Sequence, residues 1–353
     1  MGATTKESFM QRISVFKKVN TKNIGVMKVL LVSNQRQNEQ GVGNPIMYRM
    51  RDALAKDERI DKVEFLPFTN SASSLGNIRR SAKKYDIVHI HFGGLYALII
   101  RIALLGVNAK KVITFHGTDI HAKALKTAKG WKERLKIELN QKASFLSIRL
   151  FDSCGFVAAE MIDYVPKCLS CILQKKEFVQ ALGVNYEVFK PVDKEEAIRH
   201  LGLEDNKKYV LFSDVSNTSI KRRDIAENIV KCLGGNYSLL IMCGVKPQEV
   251  PYYINASDFL LLTSDEEGSP NIIRETLSLN KSVFSVQVGD AAKQLEGLHN
   301  SAIISRDPIK AADRIVSILQ KPYVDNTREM LRDRLDFVQV NRKVVDRYLT
   351  LCI

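Results

Sequence analysis

Residues 260–290 read LLLTSDEEGSPNIIRETLSLNKSVFSVQVGD. A run of leucines is broken by the polar TSDEEGSP, an apolar-periodic NIIRETLSL follows, and SVFSV is a second short apolar run. That order predicts strand, turn, helix, turn and strand, the unit from which parallel sheets are built. Pro270 suits the first turn of the helix, where its missing N–H would have been unpaired in any case. The free N–H groups of that turn, with the helix dipole, form an anion site. Glu275 stands about one turn beyond Asn271, in reach of a hydroxyl-bearing group attached to such an anion. The ligand shape is a phosphate joined to a polyol. A plainer reading also fits, with Asp265 and Glu266 as solvated turn residues, Glu267 as a dipole partner and Glu275 on a solvated face.

Outward from this unit, short apolar runs alternate with helix-period segments from Met27 onward. The expected fold class is α/β, with two doubly wound parallel-sheet domains facing across a cleft and a C-terminal helix. Strands are expected at 27–33, 62–68, 86–92, 111–116, 153–158 and 177–182 in the first half. In the second half they are expected at 209–213, 237–242, 258–263, 282–286 and 301–305. Ile46, Met50 and Leu54 share one face of a helix after Pro45. The apolar run 95–105, interrupted by Arg101, reads as a buried helix, and 324–349 as one long closing helix. A polar connector from Gly183 to Pro191 marks a boundary. The division is then a basic extension 1–26, a first α/β domain 27–183, a second α/β domain 184–322 and a helical segment 323–353.

At 353 residues, 45% hydrophobic and 26% charged, the composition is that of a soluble globular protein. No apolar run reaches the ~18 residues that span a bilayer. No signal peptide is evident in 1–27. Six cysteines are sparse for this length and are expected reduced in a cytosol, which points to a cytoplasmic location. Cys168 and Cys171 form a lone C-x-x-C without the second pair of a zinc ribbon. The formal charge of +14 calls for an anionic partner. Lys123, Lys126, Lys129, Lys132, Arg134 and Lys136 crowd a segment whose Ala128, Trp131, Leu135 and Leu139 fall at helical spacing. That pattern fits an anionic membrane surface and equally a solvated helix packed on a core. No recognition helix or aromatic-interleaved strand points to nucleic acid, although a basic nucleic-acid-binding protein is the non-enzymatic alternative.

Ligand crevices of doubly wound sheets lie outside the carboxyl ends of the strands. There Gly41 and Gly43, in QGVGN after the first strand, would let backbone approach a phosphate or sugar closely. The pattern is not G-x-G-x-x-G and lacks its acidic partner, which disfavours a dinucleotide oxidoreductase. His116-Gly117-Thr118-Asp119 follows the fourth strand, and His89 and His91 alternate along one face of the third. With His121 and Asp258, these histidines would also suit a metal-dependent hydrolase, against which stands the absence of H-E-x-x-H and D-x-D.

Taken together, MKVLLVSN, YDIVHIHFG, VITFHGTDIH, GVNYEVFKP, VLFSDVSNTSIKRRDIA and the E-x(7)-E of Glu267 and Glu275 carry a specific likeness. From Met27 to Gln320 the chain resembles the family-4 retaining glycosyltransferases of the GT-B fold, the glycosyl transferase group 1 of bacterial polysaccharide assembly. The resemblance implies transfer of a sugar from a UDP- or GDP-sugar to a saccharide or lipid-linked acceptor, with no cofactor and no metal. It implies that Glu275 binds ribose, that the backbone N–H groups available in the turn Gly268-Ser269-Pro270-Asn271 cradle the diphosphate, and that Glu267 faces the donor sugar. Lys221 would neutralise the leaving diphosphate, Gly41 and Gly43 would approach it from the other side, and His116 would lie near the reacting hydroxyls. His91 and Asp119 join His116 as acceptor contacts, while the base would rest near Gly244 and Val245. A same-fold epimerase or phosphorylase is the nearest enzymatic alternative. Departures are Val215, where relatives carry an arginine that Arg222 or Arg223 would have to replace, and Asn280-Lys281, where glycine is common.

Overall fold

The computed structural model describes residues 26–34, 46–117, 119–120, 130–214, 219–322 and 326–353. Gly41, Gly43, Pro45, Thr118, His121, Lys123, Lys126, Ala128, Lys129, Val215 and the extension 1–25 therefore lie outside the described residues.

Two parallel sheets form. The first has the order β2-β1-β3-β4-β5-β6, from β1 (Met27–Ser33), β2 (Ile60–Pro67), β3 (Ile87–His91), β4 (Lys110–Phe115), β5 (Ser153–Phe156) and β6 (Glu177–Val179). The second has the order β11-β10-β9-β7-β8, from β7 (Lys208–Ser213), β8 (Tyr237–Met242), β9 (Phe259–Leu262), β10 (Ser282–Ser285) and β11 (Ala302–Ile303). Each expected apolar run overlaps its strand, with β2, β4 and β7 starting one or two residues earlier, because strands covered on both faces are apolar throughout: β3, β9 and β10 are buried at every position.

The longer helices of the first half are α1 (Ile46–Leu54), α2 (Ala72–Ala82), α3 (Leu95–Ala103) and α4 (Trp131–Leu150). The second half carries α5 (Lys194–Leu201), α6 (Arg223–Leu233), α7 (Val250–Ala256), α8 (Asn271–Leu277) and α9 (Pro308–Leu319), and α10 (Phe337–Cys352) closes the chain. Their ends follow local chemistry. The Asp193 carboxylate accepts from Glu195 and Glu196 N–H at the start of α5, and Gly202 ends it in the left-handed conformation.

Two expectations need correction. The segment 324–349 is not one helix: short turns at Thr327–Met330 and Arg332–Leu335 precede α10, because Asp336 caps a new helix by accepting from Val338 and Gln339 N–H. That segment packs on the first half. Val344, Val345 and Tyr348 of α10 are buried with Val29, Leu31, Met50, Leu54 and Val112 under the first sheet. The chain crosses back where Val184 N–H donates to Leu335 C=O at 2.7 Å and Phe337 N–H to Val184 C=O at 3.0 Å. Gly183 is obligatory at that crossing, since a Cβ there would lie 2.2 Å from Phe337 Cα. Finally, α3 is buried on one side only: Ala97 and Ile100 face the core, whereas Leu95, Ile99, Ile102 and the following Leu105 are exposed.

Candidate functional site

Sheet register decides which side chains of the first half meet. β3 and β4 pair with His91 opposite Thr114, so His91 and His116 emerge at the same carboxyl edge. His91 Nδ1 and His116 Nε2 lie 3.0 Å apart, and one of them carries the shared proton. Behind them, His89 is 2.5 Å from the Tyr348 hydroxyl of α10 and 2.7 Å from Thr114 Oγ1. Burial pushes the His89 and His116 imidazoles down to about 3 and that of His91 well below its usual value, so all three are neutral at neutral pH. Among the described residues, buried His91 Nε2 has no hydrogen-bond partner. Phe92 takes the left-handed conformation at φ 69°, strained for a bulky residue, and stacks its ring on His116 at 4.0 Å between centroids.

Asp119 turns its carboxylate toward the backbone beside it. Its carboxylate accepts from Gly93 N–H at 2.6 Å, Gly117 N–H at 2.8 Å and His116 N–H at 3.0 Å. Burial raises its pKa, and those N–H groups oppose the rise. The oxygens are thus committed to the backbone of the His116–Gly117 turn, which they shape.

On the second half, β9 delivers Thr263 and Ser264 to its carboxyl end. Glu267 Oε1 accepts from Lys221 Nζ at 2.6 Å and from Ser264 Oγ at 2.8 Å. Lys221 ends a single 3-10 turn, Ser219–Lys221, pinned by Thr263 Oγ1, which lies 3.0 Å from the Lys221 and Arg222 carbonyls. Arg306 donates to the Thr263 and Ser264 carbonyls at 3.0 and 2.8 Å and pairs with Asp265 at 2.9 Å, so Asp265 is a structural partner and not only a solvated turn residue. Arg222 pairs with Asp224 at 2.8 Å and Asp265 at 3.5 Å, and Arg223 with Glu227 at 2.9 Å.

Pro270 precedes α8 and does not occupy its first turn, so the helix starts one residue later than the sequence reading had it. The turn before it is held from behind. Ser269 Oγ donates to Asp290 Oδ2 at 2.6 Å, Arg274 donates to Asn271 Oδ1 at 3.1 Å, and the buried Arg274 and Asp290 pair at 3.3 Å. With the Ser269 and Asn271 side chains thus engaged, the turn offers backbone. Gly268 is wedged: a Cβ on it would lie 2.7 Å from the His116 carbonyl of the first half, and a Cβ on Gly289 would lie 2.4 Å from the Gly268 carbonyl. The Glu267–Gly268 turn of one sheet therefore abuts the His116–Gly117 turn of the other. Further along α8, Glu275 is 6% exposed, and its Oε1 accepts from Arg49 Nη1 of α1 at 2.5 Å. The plainer reading of Glu275 as a solvated face does not hold. Gly244, at φ 64°, is exposed with open space around it, and Val245 is half-buried against the core.

The zinc grouping is not assembled. Asp258 pairs with Lys194 at 2.6 Å and accepts from Tyr209 N–H at 2.7 Å in the second sheet. Among the described residues no three such side chains are grouped to hold a metal ion. Sequence reasoning missed Arg49, Arg306, Arg274 and Tyr348. Only Arg274 left a local signal, a cation amid the apolar IIRETL.

No protein-family model and no curated protein sequence matches this chain. Among solved structures, it is similar to Anabaena HepE in complex with UDP-glucose, with a TM-score of 0.67 at 15% identity over 91% of this chain and 98% of HepE. It is also similar to a glycosyltransferase from Rickettsia africae, TM-score 0.65 at 15% identity over 92% and 98%, and to sucrose-phosphate synthase from Thermosynechococcus elongatus, TM-score 0.64 at 14% identity over 92% and 99%. The chain has the GT-B fold. In a GT-B chain the cleft lies between the two sheets, where the Gly268 and His116 turns meet.

Proposed function

We propose that this GT-B chain is a retaining glycosyltransferase that moves a sugar from a UDP- or GDP-sugar to an acceptor hydroxyl. The observation that carries the reading is the contact of Gly268 with the His116 carbonyl, which sets two strand-end turns with complementary chemistry against each other. The UDP-glucose complex of HepE, on the same fold, supports the donor class. Glu275 accepts from the ribose hydroxyls, and the backbone N–H groups of Gly268, Ser269 and Asn271 hold the diphosphate, with Gly41 and Gly43 as its further backbone contacts. Lys221 offers its charge to the departing diphosphate, where negative charge develops in the transition state; no metal enters this reading. Glu267 faces the donor sugar, and the base rests by Gly244 and Val245. Arg222, paired with carboxylates at present, is the cation available to replace the arginine missing at Val215. On the acceptor side, neutral His116 contacts the reacting hydroxyls, and His91 and Asp119 hold His116 and its turn in place.

The acceptor is a saccharide, lipid-linked and presented at the inner face of a cytoplasmic membrane, as in surface polysaccharide or glycolipid assembly. The exposed apolar residues of α3 and α4, among surplus cations, support that placement. Among the described residues no helix is long and apolar enough to cross a membrane.

Thermal denaturation against a panel of nucleotide-sugars tests the donor assignment, because a ligand that binds only the folded state raises its melting temperature. One donor is expected to stabilise the wild-type chain and to lose that effect in Glu275→Ala. Loss of a hydrogen bond to a charged group, about 1.5–3 kcal/mol, weakens donor binding roughly 10- to 100-fold. Unchanged stabilisation and turnover in Glu275→Ala would sink the assignment.

A further inference from the structure

Arg49 belongs to the first half of the chain, yet its guanidinium ends on a carboxylate of the second. Its Nη1 donates to Glu275 Oε1 at 2.5 Å across 226 positions of sequence. The Arg49 side chain is 27% exposed and that of Glu275 is 9% exposed, so the pair sits at the rim of the interior. The guanidinium also lies 5.5 Å from the ring centroid of Phe189, a buried residue of the connector between the sheets. The crevice beside it is lined by Ile46, Met50, Gly183, Asn271 and Phe337, which come from α1, the connector, α8 and α10.

We propose that Arg49 is the positioning residue for Glu275, reaching from the acceptor side of the cleft to orient the carboxylate that takes the donor's ribose. The proposal rests on the reading of Glu275 as the ribose ligand. A carboxylate this buried needs a partner, since an uncompensated charge in the interior is strongly destabilising. Arg49 is its only hydrogen-bonding cation among the described residues, and it engages Oε1 alone. A carboxylate has about four acceptor positions on its two oxygens, so Oε2 keeps its capacity for hydroxyl donors while Arg49 fixes the plane of the group. Lysine would not substitute, because an ammonium neither stacks over Phe189 as a planar guanidinium does nor sets a plane. The donor site is therefore complete only when α1 and α8 face each other, which ties nucleotide binding to the approach of the two halves.

The test is a double-mutant cycle on nucleotide binding, with UDP and GDP as probes and calorimetric Kd as the readout. Arg49→Ala is expected to weaken the nucleotide that wild type binds by about tenfold or more. In a Glu275→Ala background the same change is expected to do nothing further, because the residue acts through Glu275. Arg49→Lys is expected to restore folding stability but not affinity. Equal weakening by Arg49→Ala in both backgrounds overturns the proposal, as does full affinity in Arg49→Lys. If Arg49→Ala does not fold, Arg49→Gln completes the cycle with the same expectations. Should Glu275→Ala bind as tightly as wild type, the ribose assignment itself has failed; should wild type bind neither nucleotide, the donor class has failed, and this proposal falls with either.

Discussion

At the scale of single residues, the unusual feature is a run of three neutral histidines in mutual contact in the interior of the first sheet. The His89 and His91 rings lie tilted to each other at 4.2 Å between centroids, and His91 shares a hydrogen bond with His116. Protonating any of them would place a charge in a buried site beside another imidazole. Their folded pKa values lie below the ordinary value near 6.5, at about 3 for His89 and His116, so over this interval the unfolded chain binds more protons than the folded one. Stability is accordingly full above about pH 6.5 and is lost as the pH falls from there toward 3. Urea denaturation at a series of pH values is expected to show a falling midpoint below about pH 6.5, with a shallower slope in His89→Gln, which removes one titrating group. A midpoint that stays flat across that interval would contradict the burial of these rings. Tyr348, bonded to His89 from α10, explains why the closing helix is built into the first half.

Among the elements, the Glu267–Gly268 turn has no slack toward the other half. Its neighbour across the cleft is a backbone carbonyl, which cannot swing aside as a flexible side chain can. Gly268→Ala is expected to lower stability by about 1–3 kcal/mol through overpacking and to abolish transfer, because the two turns must separate. Gly76→Ala is the control: it lies in α2 with nothing within 4 Å, and alanine there is expected to be neutral or stabilising by about 0.5–1 kcal/mol. Melting temperature and turnover of the two variants decide; equal behaviour would mean that the turns do not meet. Such contacts explain what the sequence could and could not disclose. Strands were legible because each is a short apolar run between polar turns, and β1 spans the expected 27–33 in full. The unexpected Asn280 is explained locally: it adopts φ 60°, a conformation asparagine tolerates where glycine is common, and its side chain accepts from Arg328 N–H at 2.7 Å. The break at Asp336 was visible only as a capping residue inside a continuous helical pattern. Arg49 and Tyr348 left no trace, because their partners are 226 and 259 positions away and no local periodicity encodes so distant a contact.

On the scale of the whole molecule, a charge of +14 and an uncovered apolar face belong to one argument. Trp131, Leu135, Leu139, Leu146 and Leu150 recur along one side of α4, opposite its buried Ala143, Ser144, Ser147 and Ile148. α3 packs against α4 and adds exposed Leu95, Ile99 and Ile102. The reading of α4 as a solvated helix with these residues in a core fails, since Trp131 is 71% exposed. Lys132, Arg134, Lys136, Lys142 and Arg149 outnumber Glu133 and Glu138 along the same helix. A face that joins apolar area to surplus cations is complementary to an anionic lipid surface, to which each cation near the headgroups adds about 1 kcal/mol. A second copy of this chain would instead have to bring like charges together. Trp131 is the chain's sole tryptophan, so its fluorescence reports on this face alone. Vesicles of phosphatidylglycerol are expected to shift its emission to the blue and to pellet with the protein, whereas phosphatidylcholine vesicles do neither. Added salt is expected to weaken the association, and Leu135→Ser with Leu139→Ser to reduce it by about tenfold or more through lost apolar insertion. Emission unmoved by anionic vesicles, or a blue shift that follows protein concentration without lipid, would assign the face to another partner and remove the support for a lipid-borne acceptor.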